Sequence, residues 1–167
     1  MPDGIPVNPI ALHMLSCHVP FVGGGFALAL LLYGLARRDE SLLRAADYAI
    51  VLVGLGAAVA WATGPASLAV LEQWIDPAAQ AFASRHESLG EITTIAWALA
   101  ALLALWGVFL GRANTPAPRW RVPALIVLIV VGLGLAAWAA HEGGRIRHDE
   151  LRHGVDTTII AGEHVEP

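Results

Sequence analysis

The chain contains no lysine, and all of its basic charge rests on ten arginines set against fourteen acids. Charged residues make up only 14% of the 167 and the net charge is −4. Nothing in this balance suggests nucleic acid as a partner. A single cysteine, Cys17, rules out an intrachain disulfide and any centre built from paired thiolates. Alternation of apolar and polar residues, the mark of a transmembrane barrel strand, is missing as well. No serine, cysteine or carboxylate pair stands at a recognisable spacing from a base. That argues against an enzyme and for a chain that binds or carries something.

What the sequence has instead is apolar bulk, 56% of its residues, too much for a soluble domain of this size. Four stretches, at about residues 19–36, 45–63, 92–110 and 122–140, approach the roughly 20 apolar residues that cross a bilayer as a helix. The expected fold is therefore all-α: an integral membrane bundle of four transmembrane helices over 1–152, with a polar tail at 153–167. The first stretch passes through Gly23-Gly24-Gly25, which favour close helix contact, and stops at Arg37-Arg38. Thr63-Gly64-Pro65 is expected to close the second, because proline strains a helix that continues through it. Residues 66–90 then read as a long, partly helical connection at the interface. Glu87 and Glu91 precede the third stretch, and Pro123 lies in the first turn of the fourth. The opening residues lack a basic n-region, so insertion is expected to rest on the first helix. Two antiparallel helix pairs are compatible with a distant duplication, although no internal repeat is legible.

Four crossings put both termini and the 66–90 connection on one face, here the termini face, and the two short hinges on the other. The hinge face holds Arg37, Arg38, Arg44, Arg112, Arg119 and Arg121; the termini face holds Arg85, Arg145, Arg147 and Arg152. This bias makes the hinge face cytoplasmic and both termini periplasmic, in a bacterial inner membrane.

All seven histidines fall on the termini face. Counted along the helices, His18 and His141 lie 19 and 20 residues from the arginines at the opposite edge, Arg37 and Arg121. His13, His86 and His148 form an outer level at 24, 26 and 27 residues. Ionisable groups near the hydrocarbon tend to face the bundle, so the inner pair most needs an explanation. Neutral imidazole ligates haem iron, copper or zinc, and helix bundles build cofactor sites from facing helices. Candidate cofactor residues are thus His13, His18, His86 and His141, with His148 added for a bare metal ion and Glu87 or Glu91 in support. His13 and His18 are five residues apart and point about 140° away from each other. His141 and His148 share a face, where Gly143-Gly144 would leave room for a bulky ring. Arg145 and Arg147 are candidate partners for haem propionates. The competing reading makes these histidines, with Trp74 and Trp138, ordinary interfacial residues bonded to headgroups, water or acids. His153 and His164 read as solvated residues of the tail.

The segment His13-Met-Leu-Ser-Cys-His18-Val-Pro20 resembles the opening His-Pro-x-x-x-His-x-Pro motif of the bacterial membrane proteins grouped as domain of unknown function 2231. It keeps both histidines and the last proline and has Met14 in place of the first. Thr63-Gly64, His86 and the Gly143-Gly-Arg-Ile-Arg-His148-Asp-Glu-Leu151 ending are similar to features of that family, so the resemblance covers about residues 10–152. It implies a redox setting, with cytochrome c or Rieske-type partners or a larger respiratory complex. The leading expectation is a membrane electron-transfer protein with one b-type haem held between histidines of different helices. The alternatives are a copper- or zinc-binding membrane protein and a structural or anchoring subunit whose small-residue faces pack on partners.

Overall fold

The computed structural model describes residues 8–75, 77–148 and 150–153; His164, the rest of the tail and the His153 side chain lie outside them. Four helices are long and apolar enough to cross a membrane: α1 (Pro9–Arg37), α2 (Glu40–Leu71), α3 (Pro77–Arg112) and α4 (Arg121–Arg147). A short turn of helix, α5 (Glu150–His153), follows. The described residues contain no strand. The protein is an all-α, multi-pass membrane bundle in which α1 packs on α2, α2 on α3 and α3 on α4, while α1 touches α4 more sparingly.

Local chemistry sets the helix ends. Asn8 Oδ1 accepts from the Ile10 and Ala11 amides at the start of α1. Asp39 caps α2 in the same way through Ser41 and Leu42, after Arg38 turns the chain with φ at 52°. Hydrogen bonds from the Ser41 hydroxyl and these two amides hold the Asp39 carboxyl below its ordinary pKa. Within α1 the backbone widens to a π-helix over Val19–Gly23. Pro20, which cannot donate to the ladder, lies inside that segment.

Two helices extend beyond their apolar stretches. α2 runs straight through Pro65 to Leu71, and the helical turns of α3 begin at Gln80, seven residues ahead of Glu87. The connection expected over 66–90 therefore shrinks to the few residues between α2 and α3. Hydropathy marks where the hydrocarbon ends, whereas a helix continues as long as its backbone groups are satisfied. Hydroxyls flank Pro65: Thr63 Oγ1 donates to the Val59 carbonyl at 2.8 Å, and Ser67 Oγ lies 2.8 Å from the carbonyls of both Thr63 and Pro9.

The core is made of small residues around a few large ones. Ala27, Ala46, Ala57, Ala100 and Ala104 let the backbones approach, and Leu31, Ile50, Leu125 and Ile129 fill the spaces between them. Trp97 of α3 occupies the middle of the bundle and is fully buried. Its ring fits a slot cut by two glycines: a Cβ on Gly24 of α1 would stand 2.5 Å from the indole, and one on Gly132 of α4 would stand 2.9 Å from it.

Toward the hinge face, Arg121 at the start of α4 forms a bidentate ion pair with Asp47 of α2, at 2.8 and 3.1 Å. Both residues are buried. Gly107 of α3 makes room for them, since a Cβ there would overlap the guanidinium.

Candidate functional site

The termini end of the bundle gathers two of the seven histidines. His13 sits one turn into α1 and reaches across to α2, where its Nδ1 lies 2.8 Å from the Ala60 carbonyl and 3.3 Å from Thr63 Oγ1. His86, near the start of α3, reaches to α4 and places Nδ1 2.8 Å from the Ala139 carbonyl. A carbonyl oxygen can only accept, so Nδ1 carries the proton in both rings. In a neutral imidazole this leaves the Nε2 lone pair free to bind a metal or take a proton. The two ring centres are 6.1 Å apart and the ring planes are perpendicular, at 88°. Both side chains are half-buried.

The two seats are built alike. In each, the accepting carbonyl is followed four residues later by a glycine that borders the same ring. Gly64 follows Ala60, and a Cβ on it would lie 3.5 Å from His13 Cε1; Gly143 follows Ala139, and a Cβ on it would lie 3.0 Å from His86 Cε1 and Nδ1. The pairs α1–α2 and α3–α4 thus repeat one device: a histidine near the first helix's start, a carbonyl and a glycine near the second helix's end. The sequences around the device share too little for it to be read without the fold. Gly143 accommodates the His86 imidazole here, and Gly144 meets Leu151 at an ordinary contact distance of 3.4 Å. Gly143→Val is therefore expected to push His86 off the Ala139 carbonyl and lower stability by about 1–3 kcal/mol. Gly144→Val should change it much less. Thermal unfolding in detergent compares the two.

The other candidates stand apart from this pair. His18 is exposed on the outside of α1 and turns its Nδ1 back to the Met14 carbonyl at 2.7 Å. His141 is exposed, because α4 turns its neighbours Ala139 and Glu142 inward. His148 is exposed at the end of α4. Depth along a helix placed His18 and His141 on the inner level, but depth says nothing about the direction in which a side chain points. Cys17 Sγ lies 3.5 Å from His13 Nε2, a weak contact of the kind that the i,i+4 spacing on one helix brings about. Among the described residues, no three His, Cys, Asp or Glu side chains gather where they could hold a metal ion.

Arg145 stacks over the Phe82 ring, 4.1 Å from its centre, and donates to Glu142 Oε1 at 3.4 Å. Arg147 is exposed at the same end. Glu142 itself is only 5% exposed, and its Oε2 has no hydrogen-bond partner. Comparison with protein-family models, curated proteins and solved structures returns no match.

Proposed function

We propose that this protein is a membrane redox carrier in which His13 and His86 would hold a b-type haem. The observation that carries the reading is the matched pair of imidazoles. They come from different helices, each is oriented through Nδ1 by a backbone carbonyl, and each has Nε2 as the ligating atom, which on His13 would exchange its weak Cys17 Sγ contact for the metal. Two imidazoles on opposite sides of one metal atom, with metal–nitrogen distances of roughly 2.0 Å, have ring centres roughly 6 Å apart. The separation of 6.1 Å suits that arrangement. A bare copper or zinc ion takes three or four protein ligands. A porphyrin brings its own equatorial nitrogens and asks only two ligands of the chain, and among the described residues no three His, Cys, Asp or Glu side chains gather to hold a bare ion, which favours haem. Trp97 fills the bundle's middle, so a macrocycle belongs above it, at the termini end.

When bound, the haem would supply one-electron transfer, with His13 and His86 as the residues that would hold it. The chain's own contribution is to fix both rings and keep Nε2 unprotonated. Arg147, exposed at this end, is positioned to meet a propionate, while Arg145 is already engaged by Glu142 and Phe82. The arginine bias favours a cytoplasmic hinge face and a periplasmic histidine face in the bacterial inner membrane, within reach of cytochrome c or Rieske-type domains.

The test is a dithionite-reduced minus oxidised spectrum of detergent-purified protein, with a pyridine haemochrome assay. A b-type signal close to one haem per chain is expected. His13→Ala and His86→Ala should each lose it, and His18→Ala and His141→Ala should keep it. Protein that stays haem-free after expression with ample haem sinks the reading.

A further inference from the structure

On the outside of the bundle, next to the termini end, α3 and α4 border an open groove of about 370 Å³ lined by Ser84, Arg85, Ser88, Leu89, Trp138 and Glu142. Neither His13 nor His86 lines it, and the haem reading makes no use of it. Its chemistry is mixed in a specific way. Glu142 contributes a carboxylate whose Oε2 is buried and unpartnered, and Arg145 engages only the other oxygen. Arg85 contributes an exposed guanidinium and forms no ion pair with Glu142. Ser84 and Ser88 line the groove as well, and the Ser88 hydroxyl donates to the Ser84 carbonyl. Trp138, 58% exposed, and Leu89 supply an apolar wall.

A groove lined by a carboxylate and a guanidinium is complementary to a zwitterion. A buried acceptor without a partner calls for an N–H or O–H donor. A guanidinium selects a phosphate. The site is on the outer surface of a transmembrane bundle, close to the helix ends, at the level where headgroups and interfacial tryptophans meet. The occupant at hand there in large excess is lipid.

We propose that this groove binds the phosphoethanolamine headgroup of a phospholipid, with the primary ammonium donating to Glu142 Oε2, the phosphate on Arg85 and the upper acyl chain along Trp138 and Leu89. The inference is independent of the haem reading. A choline headgroup carries the same phosphate and a cation with no N–H, so it meets Arg85 but cannot satisfy Glu142. The site therefore discriminates ethanolamine from choline.

Native mass spectrometry of the full chain, delipidated in detergent and titrated with phosphatidylethanolamine or phosphatidylcholine of identical acyl chains, reads this directly. Wild-type protein is expected to bind the ethanolamine lipid at least tenfold more tightly. Glu142→Gln should remove most of that preference while leaving the choline lipid's affinity unchanged, and Arg85→Gln should weaken both lipids together. Equal affinity for the two lipids in the wild type overturns the proposal without recourse to any variant. Soluble glycerophosphoethanolamine is expected to compete poorly, because it lacks acyl chains. Displacement by it at concentrations near those of the lipid would overturn the lipid assignment and move the same chemistry to a soluble ligand.

Discussion

Asp47→Ala is expected to destabilise the bundle by about 3–5 kcal/mol. The substitution removes one partner of a bidentate pair whose members are 1% and 5% exposed. The Arg121 guanidinium, whose Nε already lacks a partner, would then be left without a counterion in an apolar surround. The cost is that of the uncompensated charge and is far larger than the net worth of the pair. The distinction can be measured. Replacing both members by apolar residues of similar size, Asp47→Leu with Arg121→Met, should recover most of the loss, because it removes the charge along with its partner. Equilibrium unfolding in mixed detergent micelles gives both numbers. A double variant as unstable as Asp47→Ala would show that the pair stabilises the fold outright and is more than mutual neutralisation. Gly107 adds a third test, since any side chain there competes with the guanidinium for the same space.

The second large effect concerns Trp97. Trp97→Ala should cost about 3–5 kcal/mol, most of it from the void left in a slot that neighbouring backbones cannot close. In a bilayer, lipid tails are as apolar as the core, so packing carries more of the stabilisation than transfer from water does. The same slot can be spoiled from the other side. Gly132→Leu puts a side chain where the indole lies, at a Cβ distance of 2.9 Å, and should destabilise comparably. Combining the two changes should restore part of the loss, because leucine then occupies space that alanine has vacated. Additive losses would mean that the two residues do not share a cavity.

How much of this could be read from the sequence depends on which physical signal each feature leaves. The four crossings are legible because twenty apolar residues in a row have few other uses. The helix ends at the termini face are not, since Thr63-Gly64-Pro65 reads as a stop and yet α2 passes through it. Counting residues gave the histidines their level but not their direction. His13 and His18, five apart, had to diverge, and the fold turns His13 inward and His18 outward. Asp47 was findable in principle: it is a lone acid in an apolar stretch, and an arginine opens α4 at the same level. The paired seats of His13 and His86 were not, because half of each seat is a backbone carbonyl, and carbonyls leave no trace in residue identity.

Each seat closes within its own pair of helices: His13 with Ala60 in the first hairpin, His86 with Ala139 in the second. Membrane helices insert before they associate, so each hairpin can set the tautomer and aim of its imidazole before meeting the other. Docking then contributes only the approach of two rings that are already prepared. Anything held between them fastens one hairpin to the other, and its binding energy becomes part of the energy of assembly.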